Sequence, residues 1–333
     1  MGSGKRRILF IYKDFSQFVR KDYETLNRTC SVLKIRSPFG KSPISFFSAG
    51  FRQFICLFWY IWRCDIIYCW FADYHSFLPA LFSKIAGKRF YLVLGGYDVT
   101  HIKDLNYGSF NRKFRGNCAR YSMRHATLNL PVAQSLSEEA TARAGAIRIK
   151  VLPTGYDPEL YLPGMQKENL ILTISLTSTF QRYMVKGLDR FVELAREMPD
   201  FQFVMIGMDE SAKDLVESKP ANLIILPPSE HPELLEWYGK ARFYAQFSRS
   251  EGLPNSVCEA MLRNCIPVGL RTGGIPEAIG DAGIIQDHWD AIQISERIRS
   301  CPNLDQLGNL AREHIIRSFH YRKRETELIH LCR

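Results

Sequence analysis

Two carboxylates eight residues apart, Glu251 and Glu259, bracket a Gly-Leu-Pro-Asn-Ser turn within the stretch from Ser248 to Asp281. Proline is tolerated only near a helix start, so Pro254 places the beginning of a helix near Ser256. Asn264, a residue that accepts the left-handed cap conformation, places its end. N–H groups at that start, with the positive end of the helix dipole, face whatever the turn approaches, a geometry that suits a diphosphate. Ile266 to Leu270 reads as a short buried strand, and Thr272-Gly273-Gly274-Ile275-Pro276-Glu277 as a second glycine turn opening another helix. Two such turns after neighbouring strands are placed to clasp one phosphorylated ligand from two sides. The same residues allow a plainer reading, because Ser256-Val257-Cys258-Glu259 fits a capping box in which Glu259 reaches back to the Ser256 N–H. Glu251 is different: a carboxylate in a glycine turn before an apolar helix has no routine packing role.

Taken with the downstream Gly-Gly-Ile-Pro-Glu, this pattern resembles the signature of the retaining glycosyltransferases of family four, which have the GT-B fold. Val151-Leu152-Pro153-Thr154-Gly155-Tyr156-Asp157 resembles the interdomain segment of that family, and Lys186-Gly187-Leu188-Asp189 its lysine-glycine helix start. The resemblance covers residues 150 to 285 well and the first half of the chain in general layout. It implies a donor site in which Glu259 holds the ribose hydroxyls and Glu251 the transferred sugar. The backbone of Gly252, Leu253, Pro254, Asn255 and Ser256 would lie near phosphate and sugar, and Lys186 would meet the diphosphate. The family's accompanying arginine stands six residues before the lysine, where this chain has Phe180, and Arg182 is the candidate substitute. A first-domain loop that in the family often carries a histidine reads Gly95-Gly96-Tyr97-Asp98 here, with His101 displaced. Gly95, Gly96 and Asp98 are therefore the acceptor-side candidates, and Asp98 joins Glu251 and Lys186 as a candidate catalytic residue.

A nucleotide sugar reacts by losing a nucleoside diphosphate, so its site must stabilise charge growing on the leaving phosphate, as helix N-termini and fixed cations do. A solvated loop lysine is the plainer account of Lys186. The chain contains no Asp-x-Asp. A magnesium-binding pair is therefore not implied, and the resemblance implies metal-independent transfer with no cofactor beyond the donor substrate. It also implies retention of anomeric configuration by front-face attack, the phosphate oxygen taking the acceptor proton. The acceptor class it suggests is a glycan or a lipid-linked molecule. Rival readings are a nucleotide-sugar epimerase or phosphorylase of the same architecture, and a non-catalytic, membrane-associated protein that binds sugar nucleotides.

These residues need scaffolds, and the chain is long enough for two. Its 333 residues, 46% hydrophobic and 23% charged, are those of a folded globular protein of about two domains. Nine cysteines, an odd number without a Cys-x-x-Cys pair, favour neither a disulfide framework nor a zinc site. There is no apolar run of about twenty residues and no signal peptide, so a cytoplasmic location is expected. A net charge of +10 points to an anionic partner, and no nucleic-acid motif supports that choice of partner. Gly2-Ser3-Gly4-Lys5 lacks the glycine frame of a phosphate loop and precedes the first strand instead of following it.

Strand and helix patterns alternate throughout, which predicts α/β architecture with parallel sheets whose ligands sit beyond the carboxyl ends of the strands. Ile8 to Tyr12 reads as a strand. Phe15, Phe18, Val19, Asp22, Tyr23 and Leu26 fall on one helix face, with Arg20, Lys21 and Glu24 on the wet side. Asp65 to Trp70, Phe90 to Leu94, Thr127 to Pro131 and Ile149 to Leu152 read as further strands, with helices over Ser76 to Ala86 and Tyr107 to His125. Pro43 to Arg63 is dense in aromatics, and its longest apolar run is too short to span about 30 Å of hydrocarbon. It packs either in the core or, as an interfacial helix with arginines on headgroups, against an anionic membrane. The basic residues Arg112, Lys113, Arg115, Arg120 and Arg124 form either a lipid-facing or a solvated helix face.

After a proline-rich linker from Pro153 to Gly164, a second round of alternation runs from Leu170 to Ser175, then a helix from Lys186 to Met198. Phe201 to Ile206, Leu223 to Leu226, a helix from Pro232, and Arg242 to Phe247 follow. The expected domains are 1–155 on the acceptor side and 165–315 for the nucleotide sugar, Rossmann-like and facing a cleft. A terminal helix over about 316–333 packs back on the first.

Overall fold

Continuous Val/Ile/Leu-rich runs, as opposed to alternating ones, are what strands covered on both faces require. In the first half such runs supply β1 (Arg7–Tyr12), β3 (Ile66–Trp70) and β4 (Arg89–Leu94), which with the edge strands β2 (Ser31–Arg36) and β5 (Leu128–Pro131) form a wholly parallel sheet in the order β2-β1-β3-β4-β5. Helices α1 (Gln17–Thr29), α2 (Pro43–Tyr60), α3 (Tyr74–Ile85) and α4 (Lys113–His125) make the crossovers, and α5 (Gln134–Ala144) follows the last strand. The computed structural model describes residues 5–40, 42–163 and 166–333. Gly2, Ser3 and Gly4, and the Gly164 end of the linker, lie outside the described residues.

The second half repeats the design with β6 (Glu168–Thr177), β7 (Gln202–Met208), β8 (Leu223–Leu226), β9 (Ala241–Gln246), β10 (Ile266–Leu270) and β11 (Ile284–Gln286). These are parallel in the order β11-β10-β9-β6-β7-β8. Between and after them come α6 (Phe180–Val185), α7 (Leu188–Glu197), α8 (His231–Lys240), α9 (Asn255–Leu262), α10 (Ile275–Ile279), α11 (Ala291–Arg299), α12 (Leu304–Phe319) and α13 (Tyr321–Leu331). The chain divides into Met1–Thr154 with Arg322–Arg333, and Gly155–Tyr321. The expected single terminal helix is two helices, separated at His320.

Several local expectations change. Ile149 to Leu152 forms a single bridge, Ile149 to Asn129, and not a full strand, yet it runs along β5 in parallel, its Lys150 and Leu152 N–H groups donating to the Asn129 and Pro131 carbonyls at 2.9 and 2.8 Å. The helix expected from Tyr107 begins at Lys113, after a 3₁₀ turn over Ser109–Asn111. Arg115, Arg120 and Arg124 do not make a free basic face. Arg115 pairs with Asp73, Nε to Oδ1 at 2.6 Å, while Arg120 and Arg124 donate to the carbonyls of Arg143 and Ala144. Helix α2 packs inward by one stripe alone. Only Ala49, Gln53 and Leu57 are buried, a single i, i+4, i+8 stripe, and most of its aromatic rings lie in solvent.

Asp22, on the apolar face of α1, is buried, and so is its partner Arg324 on α13. The guanidinium donates through Nε to Oδ1 and through Nη2 to Oδ2, both at 2.7 Å, while Tyr68 Oη and Trp70 Nε1 donate to Oδ2 at 2.7 and 2.9 Å. Arg324 also reaches the carbonyls of Leu152 and Pro153, which ties the last helix to the end of the first unit. Burial works against the charge of Arg324, and the carboxylate and the Tyr68 hydroxyl more than offset it, so its pKa rises. Removing one member of a buried pair strands the other charge. Arg324→Met should therefore cost about 3–5 kcal/mol in urea unfolding, far more than an exposed ion pair contributes. A midpoint within error of the parent protein would show that the pair does not hold the last helix.

Candidate functional site

In the second sheet the order of strands reverses between β6 and β9, the point where an open α/β sheet parts and receives ligands beyond its strand ends. Pairing of these two strands stops at Leu172 opposite Tyr244. Past it, the Tyr244 hydroxyl, not a backbone ladder, accepts from the Ile174 N–H at 3.0 Å. The loops that leave these two strand ends carry Lys186 and Glu251.

Lys186 Nζ donates to Glu251 Oε2 at 2.7 Å, with both side chains mostly shielded. The same carboxylate oxygen accepts from Ser248 Oγ at 3.1 Å and lies 3.4 Å from Gln246 Nε2. Gln246 also donates to Ser248 Oγ at 2.6 Å, and its own amide oxygen is buried with no donor. Ser248 and Gln246 were not singled out from sequence. Their signal was their place at the end of a strand that runs straight into Glu251.

Lys186 does not open a helix, as expected, but caps the C-terminus of the short α6. Gly187 follows with φ +66°, and a Cβ there would stand 2.0 Å from the Phe247 carbonyl oxygen. Only glycine lets the lysine turn approach the end of β9 this closely. Arg249 closes the other side, pairing both Nη atoms with Asp189 at 2.8 and 2.7 Å. Arg182, one turn before Lys186, is exposed and shares its helix face. Glu251 is held in turn by the second glycine loop. Gly273 has φ +54° with its absent Cβ 2.0 Å from the Glu251 carbonyl oxygen, and the Gly274 N–H donates to the Gly252 carbonyl at 3.1 Å. The second glycine turn thus buttresses the first, and the helix it opens, α10, is only five residues long.

Helix α9 begins at Asn255 with Pro254 in the cap position and no side chain capping it, and Asn264 at its end has φ +61°. Ser256 is therefore inside the helix and is not its cap. The capping-box reading of Glu259 fails on that ground. Glu259 is instead buried in the second turn of α9, where the buried Tyr238 hydroxyl lies 3.3 Å from Oε2. Burial first, and the neighbouring carboxylate second, push the Tyr238 hydroxyl well above its ordinary pKa, so it stays a donor. Leu253 and Pro254 bury their side chains and present only backbone. The Asn255 side chain accepts at Oδ1 from the Tyr156 hydroxyl at 2.6 Å and so supports the turn, whose expected part in donor binding is one of backbone.

Asp98 also changes role. It is buried, and its carboxylate accepts from the N–H groups of Ala72, Gly95 and Gly96 at 3.2, 3.1 and 2.7 Å. Burial raises its pKa to about 6 against the pull of those donors. A carboxylate so occupied folds the loop after β4 and is a positioning residue, not one that reaches a reacting atom. The N–H groups of Gly95 and Gly96 are likewise committed to it. His101 is exposed at the surface, Nδ1 3.0 Å from the Phe110 carbonyl.

Residues 172–302 match the family model described as Glycosyl transferases group 1. No curated protein matches the chain in sequence. Among solved structures, sucrose-phosphate synthase from Thermosynechococcus elongatus superposes with a TM-score of 0.78 at 14% identity, covering 98% of both chains. Anabaena HepE in complex with UDP-glucose gives 0.74 at 14% identity, again over 98% of both. Staphylococcus aureus TarM, solved with alpha-GlcNAc-glycerol and UDP, gives 0.64 at 15% identity over 84% of this chain and 58% of that one. The fold is GT-B, and the match to the group 1 family model lies within its second unit.

The glycine at 187 provides a direct check of this construction. Gly187→Ala places a Cβ in a left-handed backbone against a carbonyl, and should lower stability by at least about 2 kcal/mol in urea unfolding. An unchanged midpoint would mean that the lysine turn does not depend on this close approach.

Proposed function

We propose that the protein is a retaining glycosyltransferase that moves a sugar from a nucleoside-diphosphate sugar to a glycan or lipid-linked acceptor without a metal ion. The observation that carries this reading is the Lys186–Glu251 pair at the strand-order reversal of the second sheet, beside a helix start that no side chain caps. A diphosphate placed there meets the ammonium of Lys186, with the guanidinium of Arg182 on the same helix face, and the positive end of α9. Glu259, buried in α9 beside the Tyr238 hydroxyl, takes the ribose hydroxyls. Glu251 takes a hydroxyl of the transferred sugar. The UDP-glucose held by the Anabaena neighbour and the UDP held with a glycosyl-glycerol by TarM support a nucleotide-sugar donor of this kind.

In the reaction, an acceptor hydroxyl approaches the anomeric carbon on the face from which the diphosphate departs. The bond from that carbon to phosphate oxygen breaks, its electron pair goes to the leaving oxygen, and that oxygen takes the hydroxyl proton. No side chain is required as nucleophile. Lys186 and Arg182 carry the growing negative charge in place of a metal, and such contacts act more on the transition state than on the bound donor.

Three outcomes follow. A thermal-shift screen over uridine, guanosine and adenosine diphosphate sugars should find one nucleotide class that raises the melting temperature, since a ligand bound only by the native state stabilises it. With that donor, Glu259→Gln should weaken nucleotide binding more than about tenfold by calorimetry, as expected for a lost charged hydrogen bond, without a matching loss of stability. Lys186→Met should lower turnover more than donor affinity. Wild-type nucleotide affinity in the first variant, or wild-type turnover in the second, would remove the assigned role. Release of a rearranged sugar nucleotide or a sugar phosphate, with no glycoside formed, would identify an epimerase or a phosphorylase.

A further inference from the structure

Helix α2 joins β2 to β3, two strands of one sheet that flank β1. By length and composition Pro43–Arg63 is apolar enough to cross a membrane, yet both of its ends return to that sheet and Ala49, Gln53 and Leu57 pack inward, so it cannot span. Its opposite face carries Ile44, Phe47, Phe51, Phe58, Trp59 and Trp62, which keep between 56% and 84% of their surface exposed. At about 100° per residue these fall within an arc of roughly 120–140°, directly across from the buried stripe. Phe114, at the start of α4, is a further exposed ring near the N-terminus of α2. It is 64% exposed and its ring lies 6.4 Å from that of Phe46.

The area decides that this face is no ordinary surface. Taking about 200 Å² for a whole aromatic side chain, the exposed fractions leave on the order of 800 Å² of apolar surface, against roughly 300–600 Å² for the largest patch of a typical soluble monomer. The charges at its margin are of one sign. Arg52 and Arg63 sit at one edge of the arc, and Arg112 and Lys113 are exposed beside Phe114. No Asp or Glu occurs in residues 43–63 or in 107–125. A convex, tryptophan-bearing helix with a wholly cationic margin is complementary to an anionic lipid surface.

We propose that this face of the first unit docks on an anionic bilayer, with α2 lying in the interface plane, its rings at the headgroup–acyl boundary and its arginines on lipid phosphates. The docking stands on the surface alone. Its consequence, that the acceptor is met at the membrane and is lipid-linked or membrane-proximal, rests on the transferase reading above.

The test is co-sedimentation of the full chain with phosphatidylcholine vesicles, with and without phosphatidylglycerol, at low and high salt. The protein should bind the anionic vesicles, and added salt should weaken that binding. Brominated phosphatidylglycerol should quench Trp59 and Trp62, and the quenching should disappear in Trp59→Ser/Trp62→Ser. Arg52→Gln with Arg63→Gln should lower partitioning about 25-fold at low salt, roughly fivefold per charge. Phe47→Ser/Phe51→Ser/Phe58→Ser should abolish binding to either vesicle. Because these rings are exposed, both sets of variants should keep the parent melting temperature and the parent affinity for the nucleotide sugar. Absent binding, binding indifferent to lipid charge, or binding retained in the Phe→Ser variant would overturn the proposal. So would a concentration-dependent oligomer that the same variant disperses, which would make a second copy the occupant. Docking lost with donor affinity intact leaves the transferase reading standing, and the converse result separates the two in the other direction.

Discussion

The Lys186–Glu251 contact exists because two backbone segments come closer than any side chain permits. Gly187 brings the lysine turn against the Phe247 carbonyl and Gly273 brings the second loop against the Glu251 carbonyl, each at a distance that leaves no room for a Cβ. Strands β6 and β9 pair no further than Leu172 and Tyr244, and the turns that follow them meet beyond that point. Before a donor arrives, the two charges neutralise one another in a largely shielded place, where either alone would be costly. In the proposed reaction a diphosphate replaces the carboxylate as the partner of Lys186, and Glu251 turns to the sugar.

The chain buries other carboxylates and uses them differently. Asp22 is spent on Arg324, Asp73 on Arg115, and Asp98 on three backbone N–H groups. Each sits near a strand end or a helix face, and residue type alone does not separate them from Glu251. What separates them is that Glu251 stands at the reversal of strand order, beyond the ends of β6 and β9. The same distinction applies to the aromatic helix. Composition gives the number of rings in α2, and only the packing of Ala49, Gln53 and Leu57 shows which side of the helix meets the sheet.

This explains which features were legible in the sequence. Strands β3, β4, β6, β9 and β10 were visible because burial on both faces demands unbroken apolar runs. The bounds of α9 were visible because Pro254 and Asn264 have conformational preferences of their own. Strand β2 was missed because it lies at the sheet edge, where Ser31, Lys34 and Arg36 break the apolar pattern. Asp22 lay on the predicted apolar face of α1, but its partner is 302 residues away, beyond any periodicity. The capping box of Ser256 and Glu259 fitted by pattern and failed by two residues of register, since the cap position is Pro254 and not the serine. Gln246 and Ser248 carried no motif, and only tertiary placement brings them to Glu251.

Hydrogen exchange tests the central claim most directly. With the nucleoside diphosphate that stabilises the protein, amides of residues 253–257 at the start of α9 and of residues 186–188 in the lysine turn should exchange more slowly, while β7 and β8 at the far edge remain unchanged. Protection elsewhere in the second unit, with none at these two turns, would contradict a diphosphate site built on Lys186, Glu251 and the start of α9.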